Sequence, residues 1–372
     1  MKRFVGVVVA VCVMIGIFMV FTGVSSTEKD FIKYAEFNVC YDALEKALEY
    51  DIQSHKSDDK IKIDWVQVLA YLGAKYGGDF TQYKEKDMED VIERLKNGEK
   101  IEDICAKMKY YDYYNQVYDA VLGGFTGWYT EEKNNEIVES ESTTEESSAK
   151  KENNQNTTEN SSVSDKNSES TTKASEDNSD TEIQKDYGLC VFSPIAKTFP
   201  FSHYDDFGTG RTYGYTRRHL GHDLMAATGT PVIAIETGTV EIMGWNQYGG
   251  WRIGIRSLDK KRYYYYAHLR QNRPFHPDIA EGKTVNAGQV IGYVGRTGYS
   301  TTENTNNIDT SHLHLGLELI FDESQKECDN EIWVDLYAIT KLLEKHKSEV
   351  YRVSETKEFY SVNNFTKFEE KT

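Results

Sequence analysis

Seven of the nine histidines in this 372-residue chain fall between His203 and His314. Their spacing is more telling than their number. His219-Leu220-Gly221-His222-Asp223 sets an imidazole and a carboxylate four residues apart, and His312-Leu313-His314 sets two imidazoles two apart. In an extended strand, residues i, i+2 and i+4 share a face, so both pairs can point into one cavity from a sheet. A set of imidazole, carboxylate and imidazole suits zinc and leaves a fourth tetrahedral position for water. A metal held this way makes water acidic and polarises a scissile carbonyl, which is hydrolytic chemistry. His222 is out of phase with His219 in a regular strand and is read as structural. His203 and His276 belong to no pattern.

The elements that must position these residues are short and β-prone. Val232-Ile233-Ala234-Ile235, Thr239-Val240-Glu241-Ile242, Arg252-Ile253-Gly254-Ile255, Arg262 to Ala267 and Val290-Ile291-Gly292-Tyr293 are punctuated by Gly229, Gly238, Gly249-Gly250, Gly282, Gly288 and Gly298. All five prolines lie between Pro194 and Pro277. This spacing predicts an antiparallel sandwich or open barrel, with one helix near Leu336 to Lys345 on its outside.

Four ordered motifs in residues 190–340 resemble the lysostaphin-type (LytM-like) zinc metallopeptidases. They are His219-x-x-x-Asp223, Gly229-Thr230-Pro231-Val232 with Gly238-Thr239-Val240, Tyr266-Ala267-His268-Leu269, and His312-x-His314. The stretches Arg218 to Asp223 and Gly244 to Trp251 look most like membrane-anchored members from spore-forming anaerobic Firmicutes. The resemblance implies one Zn²⁺ per peptidase domain, held by His219, Asp223 and His314. It implies His312 and His268 as catalytic histidines that do not bind the metal. Hydrolysis needs a base for water and a donor for the developing oxyanion; His312 is read as the base and His268 as the donor. The implied substrate is the peptide part of peptidoglycan, in stems or cross-bridges. Two features depart from the family: Leu315 and Gly316 follow the second HxH histidine, and the Tyr299 to Ser311 stretch is long and rich in Thr and Asn. Both bear on pocket shape. Asn304, Asn306, Asn307 and Asp309 either line that pocket or form a polar surface loop.

Outside this region the chain is organised to deliver it. Lys2 and Arg3 precede an uncharged run from Phe4 to Val24, long enough as a helix to cross a bilayer core of about 30 Å. The basic pair stays in the cytoplasm, which puts the remainder outside. An uncleaved single-pass anchor in the cell membrane is expected over residues 1–26, with a cleaved signal peptide and secretion as the alternative. Residues 27–130 show helical periodicity, as in Ala43, Leu44, Ala47 and Leu48, or Trp65, Val68, Leu69 and Leu72. Gly77-Gly78 and Gly98 supply stops, and Asp87 is expected to cap a helix. A fourth segment runs from Ile101 to Gly123-Gly124. The tyrosines at 110, 111, 113, 114 and 118 are read as half core and half surface, with a protein or glycan partner as the alternative use of this small all-α bundle.

Residues 131–185 hold no aromatic, Gly or Pro; Ser, Thr and Asn supply 26 of the 55, and 15 acidic residues face 6 basic ones. That composition cannot bury enough apolar surface to offset its ordering entropy, so a disordered acidic linker is expected. The peptidase domain is then 186–350 and a tail 351–372. The formal net charge of −17 argues against nucleic acid as a partner. Cys40 with Cys105 and Cys190 with Cys328 are compatible with bridges, but free thiols read equally well. A catalytically silent scaffold or channel partner in a septal or sporulation complex is the alternative to an enzyme.

Overall fold

The computed structural model describes residues 31–134, 185–212, 216–327 and 330–368. The expected anchor, the 135–184 part of the expected linker, Cys12 and Cys328 lie outside them. Among the described residues, no helix is long and apolar enough to cross a membrane. Cys40, Cys105 and Cys190 are free thiols.

The helical segment comprises α1 (Tyr41–Lys56), α2 (Trp65–Tyr76), α3 (Glu85–Lys96), α4 (Ile101–Cys105) and α5 (Tyr111–Leu122). Asp64 caps α2, accepting from Val66 N and Gln67 N, a feature worth about 1 kcal/mol. Gly77 ends α2 at φ 62°, where a side chain is disfavoured. Asp87 is not a cap: it lies in the first turn of α3 and binds Lys75 and Tyr76. The segment expected from Ile101 onward breaks into α4 and α5. Of the tyrosines, 111, 114 and 118 are buried, whereas Tyr110 is exposed.

This helical segment is not a separate body, because Tyr34–Thr372 form one compact unit. Strand β1 (Thr126–Lys133) leaves α5 and pairs antiparallel with β2 (Asp186–Leu189). Next come β3 (Phe201–Tyr204), β4 (Gly210–Thr212), β5 (Thr216–Arg218), β6 (His222–Ala226), β7 (Pro231–Ile233), β8 (Gly238–Asn246), β9 (Gly250–Ser257) and β10 (Arg262–Ala267). The chain continues through β11 (Thr284–Val285), β12 (Val290–Tyr293), β13 (His312–Leu319), β14 (Ile332–Trp333), α6 (Tyr337–Leu343), β15 (Val350–Arg352), β16 (Phe359–Ser361) and β17 (Asn363–Lys367). Residues 351–372 are therefore not a simple tail. β17 pairs with β1, and Phe365 is buried against Cys190, Phe192 and Ala287.

The principal sheet is antiparallel, in the order β11-β8-β9-β10-β13-β6-β3, with β14 also on β13; β12 and β7 form a small separate pair. The strand period divides the principal sheet cleanly. Leu313, Leu315, Leu317 and Leu319 share one face of β13 with Tyr264 and Tyr266 of β10 and Ile253 and Ile255 of β9, and all are buried. The opposite face carries His312, His314, Gly316 and Glu318, with Tyr263, Tyr265 and Ala267 alongside. That face floors a groove of about 600 Å³.

Candidate active site

Register brings two of the expected ligands together. His314 on β13 lies directly opposite Asp223 on β6 and opposite Ala267 on β10. Opposed residues of antiparallel strands hold their Cβ atoms about 5 Å apart. His219 arrives differently from the expectation of a single extended strand: it lies in the turn between β5 and β6. Gly221 makes that turn fit, since a Cβ there would stand 2.5 Å from His314 Cε1 and 2.7 Å from the Leu315 carbonyl oxygen.

The outcome is a tight cluster. Ligand atoms of His219, Asp223 and His314 all lie within 4.8 Å of one another. Asp223 Oδ1 is 3.1 Å from His219 Nε2 and 3.0 Å from His314 Nδ1, and those two nitrogens are 2.9 Å apart. On its far side, His219 Nδ1 lies 2.8 Å from Asp206 Oδ1 without hydrogen-bond alignment. A carboxylate there still favours the proton on Nδ1, which turns the Nε2 lone pair into the cluster. Converging lone pairs around a buried carboxylate repel unless a cation sits between them, so the donor set fits a metal such as zinc. Burial alone raises the Asp223 pKa, but the His219 and His314 rings against its oxygens outweigh it and hold the carboxyl far below the usual range.

His268 and His312 stand beside the cluster, with rings 4.9 Å apart and His268 5.7 Å from the His314 ring. His312 Nδ1 lies 2.8 Å from the Thr310 carbonyl, and His268 Nδ1 lies 3.0 Å from that of Thr297. A carbonyl only accepts, so each neutral ring keeps its proton on Nδ1 and leaves Nε2 as the lone-pair nitrogen. His312 Nε2 is buried without a hydrogen-bond partner, 3.6 Å from Asp223 Oδ2. This tautomer suits a base. It does not suit the oxyanion donor expected of His268, whose Nε2 carries a proton only in the charged ring. Burial, reinforced by His312 and His314, pushes the His268 pKa well below its ordinary value.

His268 also sits at φ 61°, a conformation most residues avoid. It persists because its backbone N donates to Gly249 O and because Thr297 is pinned, its hydroxyl donating to Leu269 O and accepting from Trp251 N. His222 turns away from the cluster, with Nε2 2.8 Å from His203 Nδ1, whose other nitrogen meets Glu344. Burial and the His203 neighbour push the His222 pKa down to about 4. His276 is buried against Tyr360, remote from the groove. Asn304 is tied to Trp251 and Asn272, whereas Asn307 and Asp309 border a second hollow beside Asp223 and His312.

Sequence reasoning missed Asp206 and Arg211. Arg211 Nη2 lies 2.7 Å from Asp223 Oδ2 and also binds Asp206. Both come from the β3–β4 connection and the β4–β5 hairpin. No spacing signal links either residue to the histidines.

Residues 217–327 match the model of Peptidase family M23, a span that contains all five residues expected at the site. The chain is 40% identical over 124 residues to the L-Ala--D-Glu endopeptidase of Bacillus subtilis (strain 168), covering 33% of this chain and 36% of that protein. It is 38% identical over 98 residues to lysostaphin of Staphylococcus simulans, covering 26% and 17%. The chain thus spans well under half the length of these curated relatives. Among solved structures, a chain from Ruminococcus gnavus ATCC 29149 described as a candidate glycyl-glycine endopeptidase lytM aligns over 84% of this chain and 90% of that one, at 19% identity and TM-score 0.48.

Proposed function

We propose that this protein is a zinc endopeptidase that hydrolyses peptide bonds of peptidoglycan. The carrying observation is the convergence of His219 Nε2, Asp223 Oδ1 and His314 Nδ1, both imidazoles of which line an open groove. The match to Peptidase family M23 and the likeness to relatives named L-Ala--D-Glu endopeptidase and glycyl-glycine endopeptidase support a peptidase, and peptidoglycan peptides as its substrate class. When bound, zinc supplies Lewis acidity toward the scissile carbonyl and makes water acidic enough to attack near neutral pH.

The protein's own residues do the remaining work. The buried His312 Nε2 takes a proton beside the carboxylate of Asp223. Asp206 and Arg211 hold His219 and Asp223 in register. His268, neutral in the resting state, accepts rather than donates at Nε2 until it gains a proton. In this reading the apolar run 4–24 anchors the chain in the cytoplasmic membrane, and the acidic stretch 135–184 lets the groove reach wall peptides outside it.

The test is metal analysis paired with digestion of purified wall. His219→Ala and Asp223→Ala should each lose bound zinc and reduce release of wall peptides to background. Undiminished release by either variant would overturn the proposal.

A further inference from the structure

The endopeptidase reading leaves two groove residues without a role. Among the described residues lining the groove, five of the seven formally charged side chains are Arg or Lys, in a chain of net charge −17. Two of the five are neutralised within the protein: Arg211 by Asp206 and Asp223, and Lys326 by Glu241. A third, Arg218, is exposed at the groove's rim; Arg217 and Arg252 differ. Neither has a carboxylate partner among the described residues, and each has a buried Nε with no hydrogen-bond partner.

Arg217 is nonetheless held firmly. Its guanidinium lies 5.1 Å from the ring centroids of both Tyr248 and Tyr299, and Nη2 donates to Tyr299 Oη at 2.7 Å. The Tyr299 ring is in turn 5.8 Å from the His268 ring. An arginine fixed between two aromatic faces is preorganised, and its planar fork matches a carboxylate. Elsewhere in this fold buried arginines find acids, as Arg262 does with Glu236 and Asp259. A partly buried guanidinium left unpaired beside the metal cluster is costly unless a ligand completes it. Arg252, on the groove face of β9 and near Tyr265, offers a second such group farther along.

We infer that Arg217, assisted by Arg252, binds a side-chain carboxylate of the substrate, so that the groove selects acidic wall peptides over neutral ones such as oligoglycine. The inference rests on the endopeptidase reading but is tested apart from turnover. Binding is measured by calorimetry on the zinc-loaded His312→Ala chain, with an L-Ala–D-Glu stem peptide, its isosteric L-Ala–D-Gln counterpart and pentaglycine. The acidic peptide should bind about 10- to 100-fold more tightly than the amide, the range for a charge-assisted hydrogen-bonded pair. Arg217→Gln should bring that ratio to within about threefold of unity, and Arg217→Lys should leave it intermediate, since charge survives without the fork. Arg218→Gln makes the same charge change on the adjacent exposed residue and should largely preserve the ratio.

Equal affinity for acid and amide, an unchanged ratio in Arg217→Gln, or an equal collapse in Arg218→Gln would each overturn the carboxylate subsite. Turnover of the same three peptides by the unsubstituted chain separates the two claims. Cleavage of all three without discrimination overturns the subsite and leaves the endopeptidase standing. Discrimination in binding without cleavage of any peptide does the reverse.

Discussion

Gly221→Ala adds one methyl group and tests whether the cluster depends on close packing of the β5–β6 turn. The backbone at 221 is not in the left-handed region, so alanine is penalised by space alone. The new Cβ would lie 2.5 Å from His314 Cε1, 2.7 Å from His314 Nε2 and 2.7 Å from Leu315 O, where ordinary contacts begin at 3.4 Å. About 0.9 Å must be found. Leu315 sits in the central strand β13, paired on both sides, and cannot yield. Either the His314 ring swings or the turn lifts and carries His219 with it. Both movements exceed the roughly 0.2 Å tolerance of a metal–ligand bond. Overpacking should cost about 1–3 kcal/mol of stability, while zinc affinity should fall by at least about 100-fold. Competition against a chromophoric chelator reads the affinity, and urea unfolding reads the stability. Gly229→Ala is the control: at φ 91° it strains the backbone, but its Cβ meets nothing within 4 Å, so stability should drop while zinc affinity holds. Gly221→Ala binding zinc within about threefold of the parent would refute the packing argument.

Two further perturbations probe the sheet and its edge. Burial, aided by Glu331, raises the Glu318 carboxyl from 4.5 to about 8, so the folded state keeps a proton that the unfolded chain releases. The associated stability is fully present below pH 4.5 and is lost as pH rises through 8, at up to about 1.4 kcal/mol per unit. Glu318→Gln should flatten the stability profile between pH 5 and 8 by about 2–4 kcal/mol in urea titrations, and parallel profiles would contradict this. Phe365→Ala removes a buried ring from β17 and should cost about 3 kcal/mol, with zinc content unchanged; a loss below about 1 kcal/mol would mean that the C-terminal strand is dispensable.

The parts that were legible in the sequence are those with local signals. Short β-prone runs between glycines located β10 and β12 to the residue, and the Gly77 and Gly98 stops fell where helices end. The pairs His219/Asp223 and His312/His314 were also legible, although the reason differed for the first: a turn, not a common strand, brings His219 to Asp223. Asp206 and Arg211 were not legible, because their role arises from a hairpin folding over the cluster and leaves no trace in spacing. The His268 tautomer was equally hidden, since it depends on where the Thr297 carbonyl points. Residues 351–372 look like a polar tail because β17 alternates around a single buried ring, Phe365, too weak a pattern to read alone.

The same non-local pairing changes what the helical segment is for. Read alone, residues 27–130 offer a separate bundle in search of a partner. In the fold, α5 meets β10 directly: Arg262, buried and paired with Glu236, also donates to Ala120 O at 2.9 Å, and Lys261 pairs with Asp119. At the other end, Tyr187 Oη donates to Asp51 of α1, and Lys345 beyond α6 pairs with Glu45. β10 is the strand that aligns Ala267 with His314 and then delivers His268. A shift of α5 would therefore reach the cluster through one strand, whose buried guanidinium cannot lose its partners cheaply. The helices pack against the start of β10 on the side away from the groove, so a change there reaches the site only through that strand.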